Sequence, residues 1–285
     1  MDALWPSLCT PLSAGCQFAA RVISTRSRPR LIVVLERFLP HRCSIDPRSA
    51  IAASALAAAL AAAFGLVVAG RWRRSRRPAF AAWAAGLFIF AAAALTQALG
   101  EAEGFSVALF RAFYLLGGVL GVIYLALGTV YLLAPSRVAN AGAVVLVVLT
   151  LVLAVDAALV PVDAAKLHTT SGILGEAITG HGNPIYVAAV VFNILGSLVL
   201  IGGSGWSAWR FARTRAGLDR VVCNVLLTAG ALLIAAGFSA AKSVGGSIST
   251  LGIYEAVGIA VMFAGFLSLG RVGRSLPGRG RLVHS

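Results

Sequence analysis

"AFYLLGGVLGVIYLALGTVYLLA", residues 112–134, contains no charged side chain. As an α-helix rising 1.5 Å per residue it is about 35 Å long, enough to cross a hydrocarbon core of about 30 Å. As an open strand it would leave its backbone groups unpaired in lipid. The stretch therefore reads as a membrane-spanning helix.

Working outward, six more runs have the same character: 50–70, 79–99, 141–160, 185–205, 221–241 and 251–270. The expected fold is all-α, a polytopic membrane bundle with seven transmembrane helices. The first run, "IAASALAAALAAAFGLVVAG", is alanine-rich and only weakly hydrophobic. Composition agrees with the assignment. Of 285 residues, 59% are hydrophobic and 12% charged, against about 25% charged in soluble domains, and the mean hydropathy is +0.89. The apolar runs leave no room for a soluble domain. The Ala/Gly/Val/Arg bias fits a GC-rich bacterial genome.

The net charge of +14 comes almost wholly from arginine. A basic balance can signal nucleic-acid binding. Here the arginines cluster between apolar runs, which points to membrane topology instead, with no nucleic-acid partner. "RWRRSRR" (71–77) carries Arg71, Arg73, Arg74, Arg76 and Arg77 between two uncharged spans. Arg137, then Arg210, Arg213, Arg215 and Arg220, then Arg271, Arg274, Arg279 and Arg281 fall on the same side of the bundle. The other side has Arg111, Lys166 and Lys242. Positive loops stay in the cytoplasm. The expectation is a plasma-membrane protein with its N-terminus outside, its C-terminus inside and the RWRRSRR loop as a cytoplasmic anchor. Trp72 suits the same interface.

Three segments follow: a basic tail over 1–49 expected to be disordered, the bundle over 50–270, and a basic cytoplasmic tail over 271–285. Seven arginines in 1–49 oppose export of that tail. Three readings stand. The start is placed too far upstream, with the true one near Val22 or Leu31, which is the reading favoured here. Or the tail is an exported arm. Or the first run does not insert, leaving six spans. "LIVVLERF" (31–38) is too short to span.

Cys9, Cys16, Cys43 and Cys223 form no C-x-x-C pair, so neither a zinc site nor a disulfide framework is expected. "LSAGC" (12–16) resembles a lipoprotein cleavage site, but the leucine is one place too far away and no positive charge precedes it. A retinal pigment needs a Schiff-base lysine in its last span; "LGIYEAVGIAVMFAGFLSLG" has none, and Lys242 falls at the edge of the sixth. Haem bundles need axial histidines, yet His41, His168, His181 and His284 all lie outside the spans. His168, Glu176 and His181 share the long connection 161–184, where solvated loop residues are expected rather than a metal site. "GGSG" (202–205) matches the nucleophile motif of rhomboid-type proteases, but only His284 follows it as a base, and Ser204 lies at the wrong end of its span. Small residues that let helices approach closely explain it better, as they do Gly117, Gly121 and Gly128. "FYLLGG" (113–118) and "FNILGS" (192–197) are alike, which does not by itself establish an internal repeat. No catalytic residue, metal ligand or cofactor is assigned.

Charges inside lipid usually face a bundle interior or a wet cavity. Asp156 and Glu255 are the two such carboxylates, each about four residues from the arginine-poor end of its span. Gln97 and Tyr114 also fall near that end, and Asn193 lies deeper, about 12 Å in. Two readings stand: the carboxylates snorkel to the interface, or the five residues form an outward-open ligand pocket.

The stretches "ALFRAFYLLGG" (108–118), "YLALGTVYLL" (124–133) and "IGGSGWSAWR" (201–210) resemble uncharacterised seven-helix integral membrane proteins of GC-rich bacteria. The resemblance covers about residues 70–270, excludes the N-terminal tail, and implies the fold without an activity. Two functional classes remain. The first is a binding or sensory protein with an outward pocket for a small ligand and a cytoplasmic protein partner. The second is a small-solute or ion transporter or channel. Against transport, Pro135, Pro161 and Pro184 fall at span ends rather than at the midplane where transporters break helices. An intramembrane enzyme ranks third. The expected partners are the bilayer itself and anionic head groups at the cytoplasmic face.

Overall fold

The computed structural model describes residues 46–180, 182–214, 217–242 and 247–269. Most of the two basic tails, Arg215, and His181 lie outside the described residues.

Seven long helices account for the bundle. They are α1 Pro47–Ser75, α2 Pro78–Glu103, α3 Val107–Leu133, α4 Ser136–Leu159, α5 Pro184–Arg213, α6 Leu218–Lys242 and α7 Ile248–Ser268. All seven are long and apolar enough to cross a membrane. Their starts follow local chemistry. Pro47, Pro78 and Pro184 occupy the first helical turn, where a missing N–H costs nothing. Asp46, Ser106, Asn183 and Ser247 accept hydrogen bonds from the first free amides of α1, α3, α5 and α7.

Six helices close into a ring in the order α1, α2, α3, α5, α6, α7, with α7 packing back on α1. α4 lies outside it, against α3 and α5, and most of its length is exposed, with Val144, Leu151 and Leu159 each at least 65% accessible. Small residues bring the ring helices together. Ala57 and Ala61 of α1 are fully buried. A side chain at Gly128 would run into the Trp83 ring of α2, whose Nε1 donates to the Leu125 carbonyl at 3.1 Å. Gly203 of α5 likewise leaves no room for a side chain against Thr129 of α3.

Two connections differ from the sequence reading. RWRRSRR is not a loop: Arg71, Arg73 and Arg74 continue α1, and residues 76–77 alone make the turn. Arg76 takes the left-handed conformation, φ 56°, that such a tight helix end requires. Arg71 lies over the Phe266 ring of α7 at 4.2 Å, so it ties α1 to α7 rather than only facing head groups. The helix start at Pro47 also moves the tail boundary inward from residue 49.

The connection 160–183 is more than a loop, although His168 and Glu176 are exposed on it. It folds into a cap over one end of the ring, with a 3-10 turn Ala164–His168, a π turn Gly172–Glu176 and an antiparallel bridge between Val162 and Ile178. Leu167, Ile173, Leu174, Ala177 and Ile178 are buried beneath it. Gly175, at φ 128°, makes a bend that a side chain would strain. Arg111 Nη2 donates to the Val160 carbonyl at 2.8 Å and holds the cap to α3. Below, this is called the capped end, and the end bearing Arg71–Arg77 the basic end.

Candidate functional site

In the capped half, α3 widens. Residues Tyr114–Leu120 form a π-helical segment between two α-helical ones. Such insertions add a residue to a turn and are frequent at functional sites. Gly117, Gly118 and Gly121 supply the room. Asn193 of α5 donates its side-chain amide to the Gly118 carbonyl and to its own Ala189 carbonyl, so its side-chain oxygen is left to face elsewhere. The two similar stretches found in the sequence are therefore neighbours in space, with Tyr114 and Asn193 at matching positions.

Beside this segment lies a cavity of about 100 Å³, lined by the π segment, Asn193 and Ser197 of α5, Phe238 of α6 and Glu255 of α7. Phe90, Phe113, Tyr114 and Phe238 give it four aromatic rings. Glu255 is seven residues into α7, about 10 Å below its start at 1.5 Å per residue. Its Oε2 is buried and without a hydrogen bond. Ile173 and Leu174 of the cap close the cavity from above. A second space, about 370 Å³, adjoins it and shares Tyr114, Gly118, Asn193, Ser197 and Phe238. It opens between α5 and α6, past Val190, Ile194 and Ser239, with Lys242 and Tyr186 toward the capped end. Together the two fall within the range of small-molecule sites.

The structure divides the expected polar layer. Tyr114, Asn193 and Glu255 meet on one cavity. Asp156 does not join them: its Oδ2 accepts the Ile185 amide of α5 at 2.9 Å, satisfying a free donor of that helix start. The shared Asp156–Glu255 pocket is therefore corrected. α4 lies outside the ring, so its carboxylate meets α5 from behind. Gln97 is fully buried but lines neither space. Its amide donates to Ser54 of α1 at 3.1 Å, to Glu101 at 3.2 Å and to the Ile248 carbonyl of α7 at 3.3 Å. Ser54 donates in turn to Glu101 at 2.9 Å. This knot joins three helices, and Glu101 lies within electrostatic reach of Glu255.

Sequence reading missed Ser54 and Glu101. Ser54 is a lone hydroxyl in an alanine run. Glu101 falls just past the expected end of its span, but its spacing of four from Gln97 was a usable signal, since such residues share a helix face.

The remaining motifs have structural roles. Ser204 is buried and bonds to the Leu200 carbonyl at 2.6 Å and the Thr228 hydroxyl at 2.8 Å, joining α5 to α6. His168 and Glu176 are exposed on the cap, and no metal-holding group of three occurs among the described residues. In the basic half a smaller cavity of about 40 Å³ is lined by Thr129, Ser204, Ser207 and Asn224. It shares Leu125, Leu200 and Met262 with the capped-half cavity. These three side chains form an apolar partition between them.

No family model, curated protein or solved structure matches this chain. The fold defines a multi-pass helical membrane protein.

Proposed function

We propose that the protein is a small-molecule-binding, sensory membrane protein of the plasma membrane, whose ligand occupies the cavity beside the π segment of α3. The carrying observation is the buried Glu255 oxygen without a hydrogen bond, on a residue that lines a cavity with Asn193 and four aromatic rings, Tyr114 among them. A buried polar atom without a hydrogen bond is costly, and a bound ligand would relieve that cost. In this reading the capped end faces outward and the basic end the cytoplasm, by the arginine asymmetry. Arg73, Arg74, Arg76 and Arg77, all exposed, then meet anionic head groups or a cytoplasmic protein partner. The experiment is a density map of protein purified in lipid. Density for a molecule in contact with Glu255 supports the reading; a cavity holding only ordered water contradicts it.

A transporter is the second reading. It is favoured by the second cavity in the basic half, separated from the first by Leu125, Leu200 and Met262. Flux of a bound ligand across proteoliposomes, increased by Leu200→Ala, would favour it over sensing.

A further inference from the structure

The cavity lies under the cap and continues into the wider space along α5 and α6. Ile173 and Leu174 seal its top, packed on Phe113 and Leu251. The wider space instead leaves the bundle between α5 and α6. Its rim residues Val190 and Ile194 are 46% and 56% accessible on the face that a bilayer would cover. A molecule reaching Glu255 by this route must dissolve in hydrocarbon.

The inner end selects a different property. Glu255 brings a carboxyl whose Oε2 has no hydrogen bond. The side-chain amide of Asn193 is already spent on two carbonyls, which leaves its oxygen as an acceptor. Phe90, Phe113 and Tyr114 add aromatic rings to the lining. Carboxylate, acceptor oxygen and aromatic faces are the elements that hold an ammonium or similar organic cation. Among the described residues the cation at the mouth is Lys242, whose Nζ lies over the Phe238 ring at 5.3 Å. It stands at the capped end of the opening.

We infer that the ligand is a lipophilic organic cation, which passes from the leaflet at the capped end between α5 and α6 and places its charged head between Glu255 and the aromatic rings. This rests on the proposed binding function and specifies its ligand chemistry and route.

The test uses the full chain in phosphatidylcholine nanodiscs with radiolabelled tetraphenylphosphonium as the probe. Saturable binding is expected. Dodecyltrimethylammonium should displace the probe and dodecyl sulfate should not. Glu255→Gln keeps the shape without the charge and should weaken binding by about tenfold or more, the effect of losing one modest interaction. Ser239→Trp, at an exposed rim position, should slow association about tenfold if the gap is the route, with folding intact by thermal unfolding. Equal binding by Glu255→Gln, unaltered association in Ser239→Trp, or displacement by dodecyl sulfate would overturn the inference. Absence of saturable binding while an anionic or neutral molecule occupies the cavity would overturn it too, but would leave the binding function standing. A cavity without any ligand under every condition would overturn both.

Discussion

Asn193 of α5 reaches into α3 and donates to the Gly118 carbonyl, inside the π-helical segment Tyr114–Leu120. One side chain thus joins two helices and helps fix the wide turn against which the cavity forms. An interhelical hydrogen bond in a membrane bundle contributes about 0.6 kcal/mol on average, up to about 1.7. Asn193→Ala should destabilise the protein by about that amount in detergent-induced unfolding. It should also narrow the cavity by letting the π turn tighten. A stability loss without any change in α3 would show that the π segment stands without Asn193.

Gln97 should be the costlier loss. Its amide serves α1, α2 and α7 at once, and its removal leaves buried acceptors unmatched, at about 1–3 kcal/mol. Gln97→Leu should lower the unfolding midpoint more than Asn193→Ala does. The reverse order would mean that the knot at the capped end is not a structural joint.

Gly128 has no space for a side chain, because the Trp83 ring occupies it. Gly128→Ala should cost about 1–3 kcal/mol, the usual price of overpacking. Trp83 fluorescence should shift as the indole loses its bond to the Leu125 carbonyl. A neutral effect on both would place α2 and α3 further apart than described.

Arg76 should gain from glycine. Its left-handed φ of 56° is strained for any side chain, at about 1–2 kcal/mol, partly offset by the extra freedom of an unfolded glycine. Arg76→Gly should raise stability by roughly 0.5–1 kcal/mol. Four arginines remain in residues 71–77, so a reporter fused in the turn should keep its location. Destabilisation by Arg76→Gly would show that the contact of its guanidinium with Trp72, at 5.9 Å, outweighs the backbone strain.

The seven helices were legible because each is announced by an uncharged run of span length. What periodicity could not supply was which helix stands outside the ring. The expected spans put Asp156 and Glu255 at similar depths, so the sequence placed them together; the observed helices begin and end so that Glu255 is the deeper of the two. The displacement of α4 then turned Asp156 into a cap for α5. Tyr114, Asn193 and Glu255 were found because polar groups inside apolar runs are rare. Their meeting depends on a π turn made by Gly117, Gly118 and Gly121, which read in sequence as packing glycines. The cap was missed for a related reason. "PVDAAKLHTTSGILGEAITGHGNP" has few apolar residues and no repeat, and Ile173 and Leu174 find their partners only once Phe113 and Leu251 are brought beneath them.

The central claim is that Glu255 presents an unpaired carboxyl to a space reached from the membrane. Carboxyl labelling of the purified protein in lipid tests it most directly, using a lipid-soluble carbodiimide and a water-soluble one, with the adducts located by peptide mass mapping. The account predicts that the lipid-soluble reagent modifies Glu255, that the water-soluble reagent modifies exposed Glu103 and Glu176 and spares Glu255, and that Ser239→Trp slows the first reaction. Modification of Glu255 by the water-soluble reagent alone, or by neither in unfolded-protein-controlled conditions, would contradict it.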